Sequence, residues 1–112
     1  MFKIIHNPRC SKSREALKIL EDHQVKLQII HYLDGELSLD LLEEALAALK
    51  LEPREILRLK EEEFKSLKLD LDNKAQIKQA ILSHPKILER PLIWKGKKGV
   101  IGRPPENVLA LI

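Results

Sequence analysis

The chain has 112 residues, 44% of them apolar and 33% charged, with a formal net charge of +3. That length suits one domain with a modest core, and that balance excludes a disordered chain. Lysine and arginine alternate with glutamate and aspartate, which argues against a nucleic-acid stripe, and no apolar run approaches a membrane span.

In chain order, residues 2–6 read as a short apolar strand that ends at the turn Asn7-Pro8. A helical period begins at Ser11, with Ala16, Leu17 and Leu20 on one face and Arg14, Lys18 and Glu21 on the other, and fades over residues 22–24. A second strand is expected over residues 25–33, closed by Asp34-Gly35. Ser38 then suits the N-cap of a helix over residues 39–49, which turns Leu42, Ala45, Leu46 and Leu49 inward. Pro53 suits the first position of a short helix ending near Arg58 or Leu59. Residues 60–63 are a charged surface stretch, anchored by Phe64 and Leu67.

Asn73 and Gln76 have the spacing of a capping box, which opens a helix burying Ile77, Ala80 and Ile81, and His84-Pro85 stops it. Leu92, Ile93 and Trp94 form a strand, and a five-residue turn over 95–99 returns the chain into Val100-Ile101. After Gly102-Arg103-Pro104-Pro105, residues 106–112 read as a last short helix. The result is one domain over residues 1–112, βαβ then ββα, with a helical insertion at about 38–84.

The stretch IIHNPRCSKSR, residues 4–14, organises the chemistry. Strand, tight turn, thiol and helix follow in that order, so Cys10 falls at a helix N-terminus, where free N–H groups and the helix dipole favour negative charge. Arg9, Lys12 and Arg14 add cations, and His6 is near enough along the chain to donate to the sulfur. These features draw a thiol toward the nucleophilic thiolate and also make an anion cradle. Cys10 is the single cysteine, so no internal disulfide is possible, and a reduced, cytoplasmic setting is the expectation. The N-terminal MFKIIH lacks the pattern of a secretory leader. The four histidines have no metal-ligand spacing with one another or with Cys10, so no metal or bound cofactor is expected.

A βαβ–ββα order around a four-stranded mixed sheet resembles the α/β thioredoxin-like arrangement, whose active thiol starts the first helix. That fold places a cis-proline before its third strand, facing the thiol, and Pro91 occupies this place. Arg90 and Arg103 then fall near the thiol edge, where a guanidinium fork suits a tetrahedral oxyanion.

HNPRCSKSR, the segment ERPL and the segment IGRPPENVL are similar to motifs of the ArsC family, the thioredoxin-fold arsenate reductases coupled to glutathione and glutaredoxin. The resemblance spans nearly the whole chain and is greatest to the family's shorter, less characterised branch. It implies that Cys10 attacks arsenic and that Arg58, Arg90 and Arg103 hold the oxyanion. It further implies that His6 helps to lower the thiol pKa and that Ser13 sets a hydroxyl near the anion. Glutathione would then be the reducing co-substrate, and glutaredoxin would clear the mixed disulfide. The alternative is an Spx-like regulator that binds RNA polymerase, but its Cys-x-x-Cys switch cannot form here, because Ser13 stands at the second position.

Overall fold

The computed structural model describes residues 1–112. Four strands, β1 (Phe2–His6), β2 (Leu27–His31), β3 (Leu92–Lys95) and β4 (Lys98–Ile101), form one sheet in the order β2-β1-β3-β4. β1 runs parallel to β2 and antiparallel to β3, and β3 runs antiparallel to β4, so the sheet is mixed. Four helices accompany it: α1 (Ser11–Asp22), α2 (Leu39–Leu49), α3 (Glu62–Leu67) and α4 (Lys74–Ser83). None is long and apolar enough to cross a membrane. This is the α/β, thioredoxin-like architecture that the element order implies.

Side chains on a strand alternate between its faces, and both faces of this sheet are covered. Ile4 and Ile93 point to one side, where they pack with Phe2, Ala16, Leu20 and Val108 under α1 and the C-terminal turn. Ile5, Leu92 and Trp94 point to the other, where they meet Leu42, Leu46, Ile77 and Ile81 from α2 and α4. The indole N–H of Trp94 is not stranded there: it donates to Glu44 at 3.0 Å, and Lys3 binds the same carboxylate at 2.6 Å. The caps form as the residue types suggest. Ser38 accepts from Leu41 N–H, and Asn73 accepts from Gln76 N–H, each worth about 1 kcal/mol of helix stability. The Gln76 side chain does not close the box, because it accepts from Asp70 N–H instead.

Several boundaries depart from sequence expectation. β2 stops at His31 because the Glu36 side chain takes the His31 N–H at 2.8 Å, and Tyr32–Asp34 turns as a 3-10 segment. The helix expected from Pro53 to Arg58 is a single 3-10 turn, Pro53–Ile56. Leu57 is pulled into extended geometry by an antiparallel bridge to Leu88, flanked by hydrogen bonds from Arg58 N to Ile87 O (2.7 Å) and from Glu89 N to Ile56 O (2.8 Å). The charged stretch beyond it runs into α3, whose Phe64 and Leu67 pack on the core as anchors.

The hairpin turn is Gly96-Lys97, not five residues, and Trp94 pairs with Gly99 inside the ladder. Gly96 supplies the left-handed first turn position (φ +58°), whereas Gly99 is a close-approach glycine, since a Cβ there would sit 2.4 Å from Leu49 Cδ1. The C-terminal segment, Pro105–Leu111, is 3-10 in geometry and buries Val108.

Candidate active site

Strand direction gathers the site. The C-terminal ends of β1, β2 and β4 and the N-terminal end of β3 share one edge of the sheet, with Ile5 opposite Leu92 and Leu92 opposite Ile101. The turn after β1 carrying Cys10, the segment after β2 carrying Tyr32, the Arg90-Pro91 entry to β3 and the Arg103 exit from β4 therefore meet there. The Arg90-Pro91 bond is cis, as expected, and so is Arg103-Pro104, which was not anticipated. The Leu57–Leu88 bridge brings the insertion to the same edge and delivers Arg58.

Cys10 is the N-cap residue of α1, held by its own N–H to Asn7 O at 3.0 Å and by Arg14 N–H to its carbonyl at 3.0 Å. Its side chain is largely buried, and Arg103 Nη2 donates to Sγ at 3.4 Å. The thiol closes no formal cap, yet the Ser13 and Lys12 N–H groups point at the sulfur. Burial pushes the thiol pKa up. The Ser13 N–H, Arg90, the Lys12 N–H and Arg103 together outweigh it, and the pKa lies below its ordinary value.

The cations that matter are thus remote in sequence. Arg14, one of the expected neighbours, instead donates to Pro8 O at 2.9 Å.

Arg58, Arg90 and Arg103 line one cavity of about 410 Å³, together with Leu57, Leu59, Lys60 and Glu89. Arg103 spans from the cavity wall to the thiol. Its Nε donates to Arg90 O at 2.7 Å and contacts Glu89 Oε1 at 3.0 Å. Arg58 is steered by Lys86 O (3.3 Å) and Glu61 (3.1 Å). Arg90 is mostly buried, and its Nε has no protein partner.

His6 and Ser13 are placed differently from expectation. His6 makes no hydrogen bond to Cys10. Its Nδ1 lies 2.6 Å from Ser13 Oγ, which also accepts from Asn7 N–H at 3.0 Å. A hydroxyl can accept two hydrogen bonds and donate one, so Ser13 Oγ can hold Asn7 N–H and His6 Nδ1 at the same time. Burial, His31 and Arg14 lower the His6 pKa and keep the ring neutral. The Ser13 hydroxyl is thereby engaged beneath the turn and is wholly buried, so its backbone N–H, not its side chain, faces the sulfur. Both residues brace the loop that holds Cys10.

Three residues were missed by sequence reasoning. Asn7 accepts from Arg9 N–H through its side chain and from Cys10 N–H through its carbonyl, which the turn-forming Asn-Pro pair could have signalled. Tyr32 is buried beside Arg90, Asn7 and Arg58; burial raises its phenol pKa and keeps it a neutral donor. Its place just beyond a strand parallel to β1 was the available clue. Glu89, next to Arg90, shares its carboxylate with Arg103.

The depressed thiol pKa gives a direct expectation. Alkylation of Cys10 should show a pH midpoint below the free-cysteine value of about 8.5. Because the folded pKa lies under the unfolded one, the thiolate's contribution to stability is full above the unfolded pKa and is lost as pH falls through the folded value. His6→Ala loosens Ser13 and should move the alkylation midpoint upward. A midpoint at or above that of free cysteine in the native chain would contradict this account.

Fold and site together define a class: a thioredoxin-like domain with a single helix-start thiol beside an arginine-lined cavity. The chain belongs to the ArsC family, whose model matches residues 5–111. It is 42% identical to an arsenate reductase of Neisseria meningitidis serogroup A, over 99% of this chain and 97% of that one. It is also 42% identical to an arsenate reductase of Haemophilus influenzae, with 97% of each chain covered. Among solved structures, an arsenate reductase from Vibrio cholerae superposes with a TM-score of 0.86 at 38% identity, covering 99% of this chain and 97% of that one.

Proposed function

We propose that this protein is an arsenate reductase that uses Cys10 as its nucleophile and glutathione with glutaredoxin as its reducing system. The observation that carries the reading is Arg103 donating to Cys10 Sγ while lining one cavity with Arg58 and Arg90. Support comes also from the names of the relatives at about 42% identity.

The Cys10 thiolate attacks the arsenic of bound arsenate, and an oxygen leaves as water after protonation. The arginines take up the charge that develops on the remaining oxygens, an oxyanion-hole contribution. Tyr32, neutral and buried among them, offers one further donor.

With one cysteine in the chain, the reducing electrons cannot both come from the protein. A glutathione thiolate attacks the Cys10 sulfur, the sulfur–arsenic bond breaks, and its electron pair leaves on arsenic as arsenite. Two thiols have then become one mixed disulfide while arsenic has gained two electrons. Glutaredoxin restores Cys10 by thiol–disulfide exchange.

The test follows from that stoichiometry. Purified protein given arsenate and glutathione without glutaredoxin should stall as a glutathione adduct on Cys10, visible by mass spectrometry, and adding glutaredoxin should restart arsenite release. Sustained turnover with thioredoxin alone would refute the glutathione route. Absence of arsenite with any reductant, together with capture of RNA polymerase, would favour the Spx-like alternative.

A further inference from the structure

The anion cavity contains a carboxylate, which an all-purpose anion site would avoid. Glu89 lines it beside Arg58, Arg90, Arg103 and Lys60. Its backbone is pinned by Glu89 N–H to Ile56 O at 2.8 Å, and its side chain is about three-quarters buried. Every protein contact of the carboxylate uses one oxygen: Oε1 meets Arg103 Nε at 3.0 Å, Arg90 N–H at 3.1 Å and Arg90 Nη1 at 3.8 Å. Oε2 has none of these partners.

We infer that Glu89 makes this cavity selective for tetrahedral oxyanions that carry a proton, against those that carry none. The inference rests on the oxyanion-site reading above but not on its redox chemistry. Arginine side chains only donate, so they accept any anionic oxygen without regard to its protonation. An ionised carboxylate only accepts. Facing a bare anionic oxygen it repels; facing an O–H it gains a short charge-assisted hydrogen bond. Glu89 is therefore the group in the cavity wall that can read the proton. Hydrogen arsenate and hydrogen phosphate keep one through neutral pH, whereas sulfate has lost both. Discrimination then comes from an unfavourable contact with the wrong anion as much as from a favourable one with the right anion.

The experiment measures protection of Cys10 from iodoacetamide by phosphate, sulfate and fluorophosphate at mildly alkaline pH. All three are then tetrahedral dianions, and only phosphate bears a proton. Phosphate should protect at concentrations about ten-fold lower than the other two, the size expected for one mismatched polar contact. Glu89→Gln keeps an acceptor for Arg103 Nε but replaces the charge with an amide that can donate. It should bring sulfate and fluorophosphate to within a few-fold of phosphate.

Equal protection by all three anions in the native chain would overturn the inference, as would a phosphate preference that survives in Glu89→Gln. The native-chain comparison stands even if the variant folds poorly. Arsenite production is measured separately. Lack of turnover with proton-dependent protection intact would overturn the reductase reading and support the role of Glu89. Turnover without anion preference would do the reverse, and no protection by any of the three would overturn the inference, together with the reductase reading if turnover were also absent.

Discussion

Arg103→Lys is expected to cut arsenate reduction on the order of a hundred-fold or more while leaving the chain folded. Arg103 uses a planar fork for three tasks: Nε serves Arg90 O and Glu89, and Nη2 serves Cys10 Sγ. A lysine ammonium is a point charge on a flexible stem and cannot hold all three directions at once. The loss should appear chiefly in kcat, because charge moves onto the anion's oxygens as the thiolate attacks. The Cys10 alkylation midpoint should rise in the same variant, since Arg103 is one of the groups that favour the thiolate.

Arg90→Lys should lose activity similarly, as it removes a guanidinium fork that lines the cavity and favours the thiolate. Arg54→Lys is the control. Arg54 lies in the turn preceding Arg58, is exposed and pairs only with exposed Asp72, so little should change. Wild-type turnover in both the Arg90 and Arg103 variants would remove the arginines from the mechanism.

Gly102→Ala is expected to combine a loss of stability with a loss of function. Gly102 is buried, and a Cβ there would lie 2.7 Å from Pro91 Cγ, 2.9 Å from Ile93 Cδ1 and 3.4 Å from Ala16 Cβ. The first two are well inside ordinary contact, and one belongs to a proline ring that cannot rotate away. Overpacking of this kind costs about 1–3 kcal/mol, readable as a lowered urea midpoint with unchanged m-value. Relief of the clash would part the two segments that carry Arg90 and Arg103, now tied by Gly102 N–H to Pro91 O at 2.9 Å. Activity should therefore fall even where the variant is fully folded, since a small misplacement of positioning groups is costly to rate. A variant with native stability and native turnover would show that the sheet edge tolerates the separation.

Much of this protein was legible in its residue order. Period-2 and period-3.6 patterns located the strands and the long helices, Ser38 and Asn73 marked their starts, and the Asn-Pro turn placed Cys10 at the head of α1. These are local effects: capping, turn chemistry and alternation act within a few residues, so a linear reading captures them. The short elements were misjudged where a distant segment overrode local preference. Leu57 and Arg58 leave helical geometry because Leu88 and Ile87 offer them a bridge, and Gly99, read as a turn residue, pairs with Trp94 in the ladder under Leu49.

The site divides along the same line. The sequence by itself determined a lone thiol at a helix N-terminus, and the family resemblance named the three arginines. Only the tertiary structure decided which charges reach the sulfur: Arg90 and Arg103, far along the chain, and not the adjacent Arg14, whose guanidinium is spent on Pro8 O. It also placed His6, expected at the sulfur, and the Ser13 hydroxyl, expected near the anion, against each other as braces of the loop, and it set Glu89 in the cavity wall. The physical reason is that charge acts through space. A sheet whose strands end at one edge brings together groups whose sequence separation says nothing of their distance.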